Sequence, residues 1–310
     1  MKITDLFENK IFLAPLAGFT DAGFRALAKK YGCGLTVTEM TSAKSLEMNN
    51  ERAKELLVTT KNESPVAVQL FGHEQQVFEK VAQSQELEKF DIIDINMGCP
   101  MKKIIGNGDG SALLLNPSLA SEIIKAVKRS GKFVTVKMRI GITDNKNAVN
   151  FAKMCEGSGA DMLTVHGRTQ KQMYSGKADW DTIASVVDSV KIPVVANGDV
   201  FDKQSYDKLL RRTNAYAVAV GRGCLGRPYI FAELLDKPYE FDILSAVTQH
   251  IAVLSEYLPE RVVVNEMKKH ICYYVKGLAL NNAFCVKICN CKKISEMTEK
   301  LTVFLEQIKN

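Results

Sequence analysis

The sequence predicts a closed (β/α)8 TIM barrel, class α/β, followed by a small C-terminal domain made only of helices. Three observations carry that expectation. Eight short runs rich in Val, Ile and Leu recur along the first 220 residues. The stretches between them have helical character. Beyond about residue 241 helical spacing continues with no further strand run. Runs that stay apolar throughout are what a parallel sheet covered on both faces needs, and eight βα units in this length fit a barrel. An open doubly wound sheet is the alternative this pattern leaves.

In chain order the runs are IFLAPL (11–16), LTVTE (35–39), PVAVQL (65–70), DIIDI (91–95), KFVTVK (132–137), DMLTVH (161–166), IPVVAN (192–197) and YAVAV (216–220). Between them EQQVFEKVAQSQELEKF and PSLASEIIKAVKRSG read as helices. The second has Asn116 as N-cap and Pro117 in its first turn, and ends at Gly131. In the tail, DILSAVTQHIAVLSEYL, EMKKHICYYVKGLAL and ISEMTEKLTVFLEQIKN carry apolar residues at helical spacing. Residues 1–240 therefore read as one domain and 241–310 as a second, joined near DKPYEFD.

Composition narrows the class further. The chain of 310 residues is 46% hydrophobic and 25% charged, with ample material for a large core. No stretch approaches the roughly 20 apolar residues of a membrane span. MKITDLFENK lacks the apolar core of a secretory signal, so a cytoplasmic protein is expected. The 8 cysteines are then expected to be reduced thiols. A net charge of +6 permits a polyanionic partner without arguing for one, and the tail, with 9 basic and 7 acidic residues, is no strongly basic module.

The barrel reading places functional groups at the carboxyl ends of the strands. Those ends carry Pro15 and Ala17, Glu39, Gln69, Asn96 with Cys99, Lys137 with Arg139, His166 with Arg168, Asn197 with Gly198 and Asp199, and Gly221 with Arg222. One polar residue there is a strand terminator; a full circle of them reads as a ligand site. The glycines of NGD and GRG, after the last two strands, suit a phosphate group, with Arg222 adding a charge-assisted contact. Lys137 and Arg139 share one strand face, and a lysine in a barrel mouth needs an anionic partner. A reduced flavin ring meets that need, with Gln69 and Asn197 on its polar edge; a salt bridge to Glu39 is the plainer reading. Cys99 suits a nucleophile, a metal ligand or a proton donor. The NMGCPMKK context offers no second soft ligand, whereas GCPMKKIIGNGDGSAL supplies a flexible perch for a proton donor and a lid.

At this point APLAGFTDAGFR, QLFG, DINMGCPMKKI, VTVKMRIG, VHGRTQKQMYSGKADW, IPVVANGDV and VAVGRGCLGRPYIF resemble, in order, segments of the tRNA-dihydrouridine synthases, the bacterial B-type branch in particular. The resemblance implies FMN-dependent reduction of the C5–C6 bond of particular uridines in tRNA, with NADPH, or else NADH, recharging the flavin. It implies hydride to C6 from the flavin and a proton to C5 from Cys99. Residues matching the family's FMN contacts are Pro15, Leu16, Ala17, Gln69, Lys137, His166, Asn197, Gly198, Asp199, Gly221 and Arg222. Asn96 and Arg139 match positions expected to hold the uracil edge and nearby backbone. The resemblance makes residues 1–240 the FMN-binding catalytic domain and 241–310 the tRNA-recognition domain; no protein partner is implied, and a monomer is expected.

One departure stands out. After YYVKGL the family carries an arginine a few residues into the next helix, where this chain has NNAFCVKIC with Cys285 and Val286. Lys287 lacks the guanidinium fork. Cys285, Cys289 and Cys291, with Cys272 and His270 upstream, do not have a common zinc spacing and read as small thiols in helix packing, so no metal is expected. His73 and His250 read as surface or helix-face residues without a role. Rival readings are a flavin barrel acting on a free pyrimidine, a tRNA-binding protein without chemistry, and a phosphosugar lyase using Lys137 as a Schiff base.

Overall fold

In the computed structural model, which describes residues 1–308, the apolar runs become the staves of a parallel barrel. The strands are β1 (Ile11–Leu13), β2 (Thr36–Val37), β3 (Thr41–Ser42), β4 (Val66–Phe71), β5 (Ile92–Met97), β6 (Phe133–Arg139), β7 (Met162–His166), β8 (Val194–Asn197) and β9 (Ala217–Val220). The second run differs from expectation: it supplies only the short strand β2, and a further short strand, β3, follows just beyond it, both parallel to β4. The order is β1-β9-β8-β7-β6-β5-β4-β2. The circle closes where Phe12 bridges Leu35, the Leu13 N–H donating to the Leu35 carbonyl at 2.9 Å. That bridge excludes the open doubly wound sheet.

Pleating sorts each strand into two faces. On β9, Ala217 and Ala219 join an inner cluster with Phe12, Ala67, Ile92, Met162 and Val195, which fills the barrel as a packed core. Val218 and Val220 face outward into the larger layer under the helices. Those helices are α1 (Ala22–Lys30), α2 (Ala43–Glu47), α3 (Glu51–Glu55), α4 (Gln75–Ala82), α5 (Lys102–Ile105), α6 (Pro117–Lys128), α7 (Ala148–Gly157), α8 (Trp180–Ser189), α9 (Lys203–Thr213) and α10 (Ile230–Leu234). Asn116 caps α6 as expected, its side chain accepting from the Leu119 N–H at 3.2 Å, with Pro117 at the first position. Gly131 follows at φ +79°, a left-handed turn that favours glycine.

The tail forms α11 (Ile243–Ser255), α12 (Glu260–Tyr274), α13 (Asn281–Cys289) and α14 (Ile294–Gln307). They share a hydrophobic cluster of their own, which recruits Leu27 of α1. Phe284 of α13 stacks on Phe304 of α14 at 4.1 Å between centroids. Among the described residues, no helix is long and apolar enough to cross a membrane.

Candidate active site

The inward parity that fills the barrel floor with apolar side chains continues upward into polar ones. On β5 it runs Ile92, Asp94, Asn96; on β6, Thr135, Lys137, Arg139; on β7, Met162, Thr164, His166; on β8, Val195, Asn197. The upper members line a cavity of about 480 Å³ at the carboxyl ends of the strands. Every candidate residue named above for catalysis, cofactor or substrate lines it. Glu39 does not. It is half-buried and faces a smaller cavity of about 200 Å³ beside Gly18 and Lys269.

A hydrogen-bonded chain positions Cys99. The Asn96 amide nitrogen donates to Gln69 Oε1 at 2.8 Å, and the Gln69 amide nitrogen donates to Asp94 Oδ2 at 2.6 Å. Thr135 donates to the other Asp94 oxygen at 2.5 Å. Asn96 Oδ1 in turn accepts the Cys99 N–H at 2.9 Å and the Gly98 N–H at 3.2 Å. Arg139 braces the same turn, donating through Nε to the Gly98 carbonyl at 2.7 Å and through Nη1 to the carbonyls of Thr169 and Met173. Ser111 donates to the Cys99 carbonyl at 2.8 Å. Asn96 Oδ1 and Arg139 Nε are thus spent on the cysteine turn, while Arg139 Nη1 ties that turn to the segment after β7. Cys99 is only 9% exposed, and burial pushes its thiol pKa up, so the group stays protonated at neutral pH.

Around it the cavity is cationic. The Lys137 ammonium makes no ion pair or hydrogen bond among the described residues. The plainer expectation of a Lys137–Glu39 salt bridge is not met: Glu39 accepts the Gly18 N–H instead, and burial raises its pKa to about 7. Burial, then neighbouring Arg139, pushes the Lys137 ammonium down to about 8. Burial and the charges of Lys137, Arg139, Arg168 and Arg222 depress His166 to about 2, leaving it neutral. Asp199, with φ +61°, is committed to Arg168 (2.7 and 2.9 Å) and to the Ala178 N–H at 2.7 Å. Asn197 donates to the Ala219 carbonyl at 2.8 Å. The buried Arg168 Nη1 has no partner among the described residues. Cations outnumber carboxylates here, and Gly198 and Gly221 offer bare backbone. Such a cavity suits an anionic, phosphate-bearing cofactor with an electron-rich ring, and FMN fits that description.

The sequence reading missed Phe19, Met40, Tyr174 and Tyr273 as parts of the wall. Phe19 and Tyr174 lie within motifs already quoted; nothing in the sequence pointed to Tyr273, which arrives from α12. His250 is a correction. It is fully buried, its Nε2 lies 2.7 Å from Asp21 Oδ1, and His270 Nε2 lies 2.9 Å from Asp21 Oδ2. Asp21 also caps α1, so this trio ties the tail to the barrel. His73 is half-exposed and lies 2.7 Å from Asp109. Among the tail thiols Cys291 is buried, but Cys272 and Cys285 are half-buried and Cys289 is exposed, which packing alone does not require. Among the described residues, the side chains close enough to share a metal ion are Asp21, His250 and His270 rather than the cysteines.

Comparison with known proteins follows the same lines. The family model described as dihydrouridine synthase (Dus) matches residues 12–309. A probable tRNA-dihydrouridine synthase of Rickettsia conorii is 40% identical over 283 residues, covering 87% of this chain and 86% of that protein. A tRNA-dihydrouridine synthase B of Pasteurella multocida is 37% identical over 288 residues, covering 89% and 87%. Among solved structures, histamine dehydrogenase from Rhizobium sp. 4-9 superposes with a TM-score of 0.57 at 12% identity. It covers 79% of this chain and 49% of that one, a likeness of fold alone.

Proposed function

Because the chain belongs to the dihydrouridine synthase family, whose members here are tRNA-dihydrouridine synthases, we propose that it reduces the C5–C6 bond of particular uridines in tRNA with FMN and NADPH, NADH being the other donor. The observation that carries this reading is the rim itself: a protonated, nearly buried thiol and a cationic, glycine-bearing lining share one cavity. When bound, the flavin supplies the hydride for C6.

The remaining work falls to the chain's own residues. Lys137 and neutral His166, with Arg222 and the backbone of Asn197–Asp199 and Gly221, hold the cofactor's ring and phosphate. Pro15, Leu16 and Ala17 form the apolar side of its seat, and Gln69 meets the polar edge of its ring. Cys99 Sγ holds the proton that C5 receives. A thiol with a raised pKa keeps that proton until a stronger base forms, which is what general acid catalysis requires. Asn96 and Arg139 orient the Cys99 turn and present its backbone to the uracil. The tail, residues 241–310, grips the tRNA.

The test is purified protein, NADPH, and tRNA either transcribed or taken from cells lacking the gene, with dihydrouridine followed by mass spectrometry of digested nucleosides. Dihydrouridine on either substrate is the expected outcome, and the fragment that carries it locates the target. NADPH oxidised only with free pyrimidines present would transfer the reading to a small-molecule reductase.

A further inference from the structure

Tyr273 is a residue of the tail that lines the barrel's cavity. Its place is held from two sides. Three residues earlier, His270 and its neighbour His250 grip Asp21, which fixes α12 against the start of α1. On the other side the chain after β9 passes so close that a Cβ on Gly226 would stand 2.1 Å from the Tyr273 carbonyl oxygen. The phenol ring therefore meets Phe19 edge-on, with centroids 5.2 Å apart and planes at 89°. Both side chains are half-buried and both face the cavity. Lys276, in the turn just after α12, is exposed, places its Nζ 5.7 Å from the Tyr273 centroid, and has no ion pair among the described residues.

An aromatic pair at a cavity mouth beside an unpaired cation suits one flexible nucleotide: a base packs on the rings and its phosphate meets the ammonium. The rings line the same cavity as Cys99 and Lys137. We propose that Phe19 and Tyr273 form the wall against which the base next to the reacting uridine packs, with Lys276 taking the adjoining phosphate. This rests on the tRNA reading above. It makes the tail part of the active site rather than a remote grip, because the wall exists only when α12 is docked.

The test is steady-state kinetics of the flavin-loaded enzyme on tRNA for Tyr273→Ala, Tyr273→Phe and Lys276→Ala. Losing the ring should raise KM for tRNA roughly ten- to hundredfold, in line with base–aromatic stacking, with flavin content unchanged. Tyr273→Phe should stay within about threefold of wild type, since stacking needs the ring and not the hydroxyl. Lys276→Ala should lower the slope of log affinity against log salt by about one. The proposal falls if Tyr273→Ala matches wild type on tRNA, if Tyr273→Phe is as weak as Tyr273→Ala, or if the loss appears in flavin retention or NADPH oxidation instead. A wild-type enzyme that makes no dihydrouridine in tRNA would instead remove the reading beneath it.

Discussion

Lys137 is a half-buried ammonium with no carboxylate partner among the described residues, and burial has pushed its pKa down to about 8. In the ligand-free protein its charged form is disfavoured, so the fold gains stability as pH rises from about 8 towards the unfolded lysine value near 10.4. An anionic cofactor needs the opposite, the charged form. Flavin affinity should therefore fall as pH rises through about 8, a trend that fluorescence titration of FMN reads directly. Lys137→Arg, charged throughout, should flatten that fall; Lys137→Ala should purify with less bound flavin. A variant as yellow as wild type would count against Lys137 as the anion's partner. Cys99→Ala tests the other side of the cavity: flavin binding should survive while turnover on tRNA collapses, and full turnover would remove the thiol from its proton-donor role.

At the scale of elements, the loop from Cys99 to Ser111 is held by backbone geometry as much as by side chains. Gly110 has φ +60°, and a Cβ there would lie 3.1 Å from both the Cys99 Cβ and its carbonyl oxygen. Gly110→Ala should therefore shift Cys99, lowering turnover while leaving flavin binding near wild type, measurable by comparing kcat with flavin affinity. Asn116→Ala, on the outer wall, should do the reverse: it removes a helix cap worth about 1 kcal/mol, read as an earlier denaturation midpoint with flavin affinity unchanged. Strands such as β5 and β6 were legible because both faces are covered, and the polar residues at their ends were legible because the pleat gives every second residue to the barrel interior. The strand β3 was not legible, since Thr41–Ser42 lies beyond the apolar run LTVTE and is polar, and only its pairing with β4 makes it a strand. Tyr273 was invisible for a related reason. Its periodicity on α12 is that of any amphipathic helix, and only tertiary docking turns it towards a cavity built from residues far away in the chain.

At the scale of the whole molecule, the barrel and the tail meet at Asp21, whose partner His250 stands 229 positions further along. No local pattern announces such a pair, and a histidine on a helix face reads as solvent-facing until its neighbour is known. Burial pushes the His270 imidazole down to about 4, with His250 adding to the effect, while Asp21 is held well below the ordinary carboxylate range by its two histidines. The sign follows. In the unfolded chain His270 takes up its proton near 6.5, and the folded chain takes it up only near 4. Between those values the unfolded state binds more protons, so the junction's contribution is complete above about pH 6.5 and is lost as pH falls towards 4. Depression of the Asp21 pKa adds a further loss below the ordinary carboxylate range. Denaturant midpoints measured from pH 7.5 to 4 should fall for wild type, whereas His270→Gln should start lower and fall less over that interval. Parallel curves would mean that His270 does not carry the acid sensitivity of the junction. Because Tyr273 follows His270 on the same helix, the pH that loosens the junction should also weaken tRNA before it weakens flavin. The affinities of one sample for tRNA and for FMN at pH 7 and pH 5.5 would decide whether the tail and the active site move as one piece.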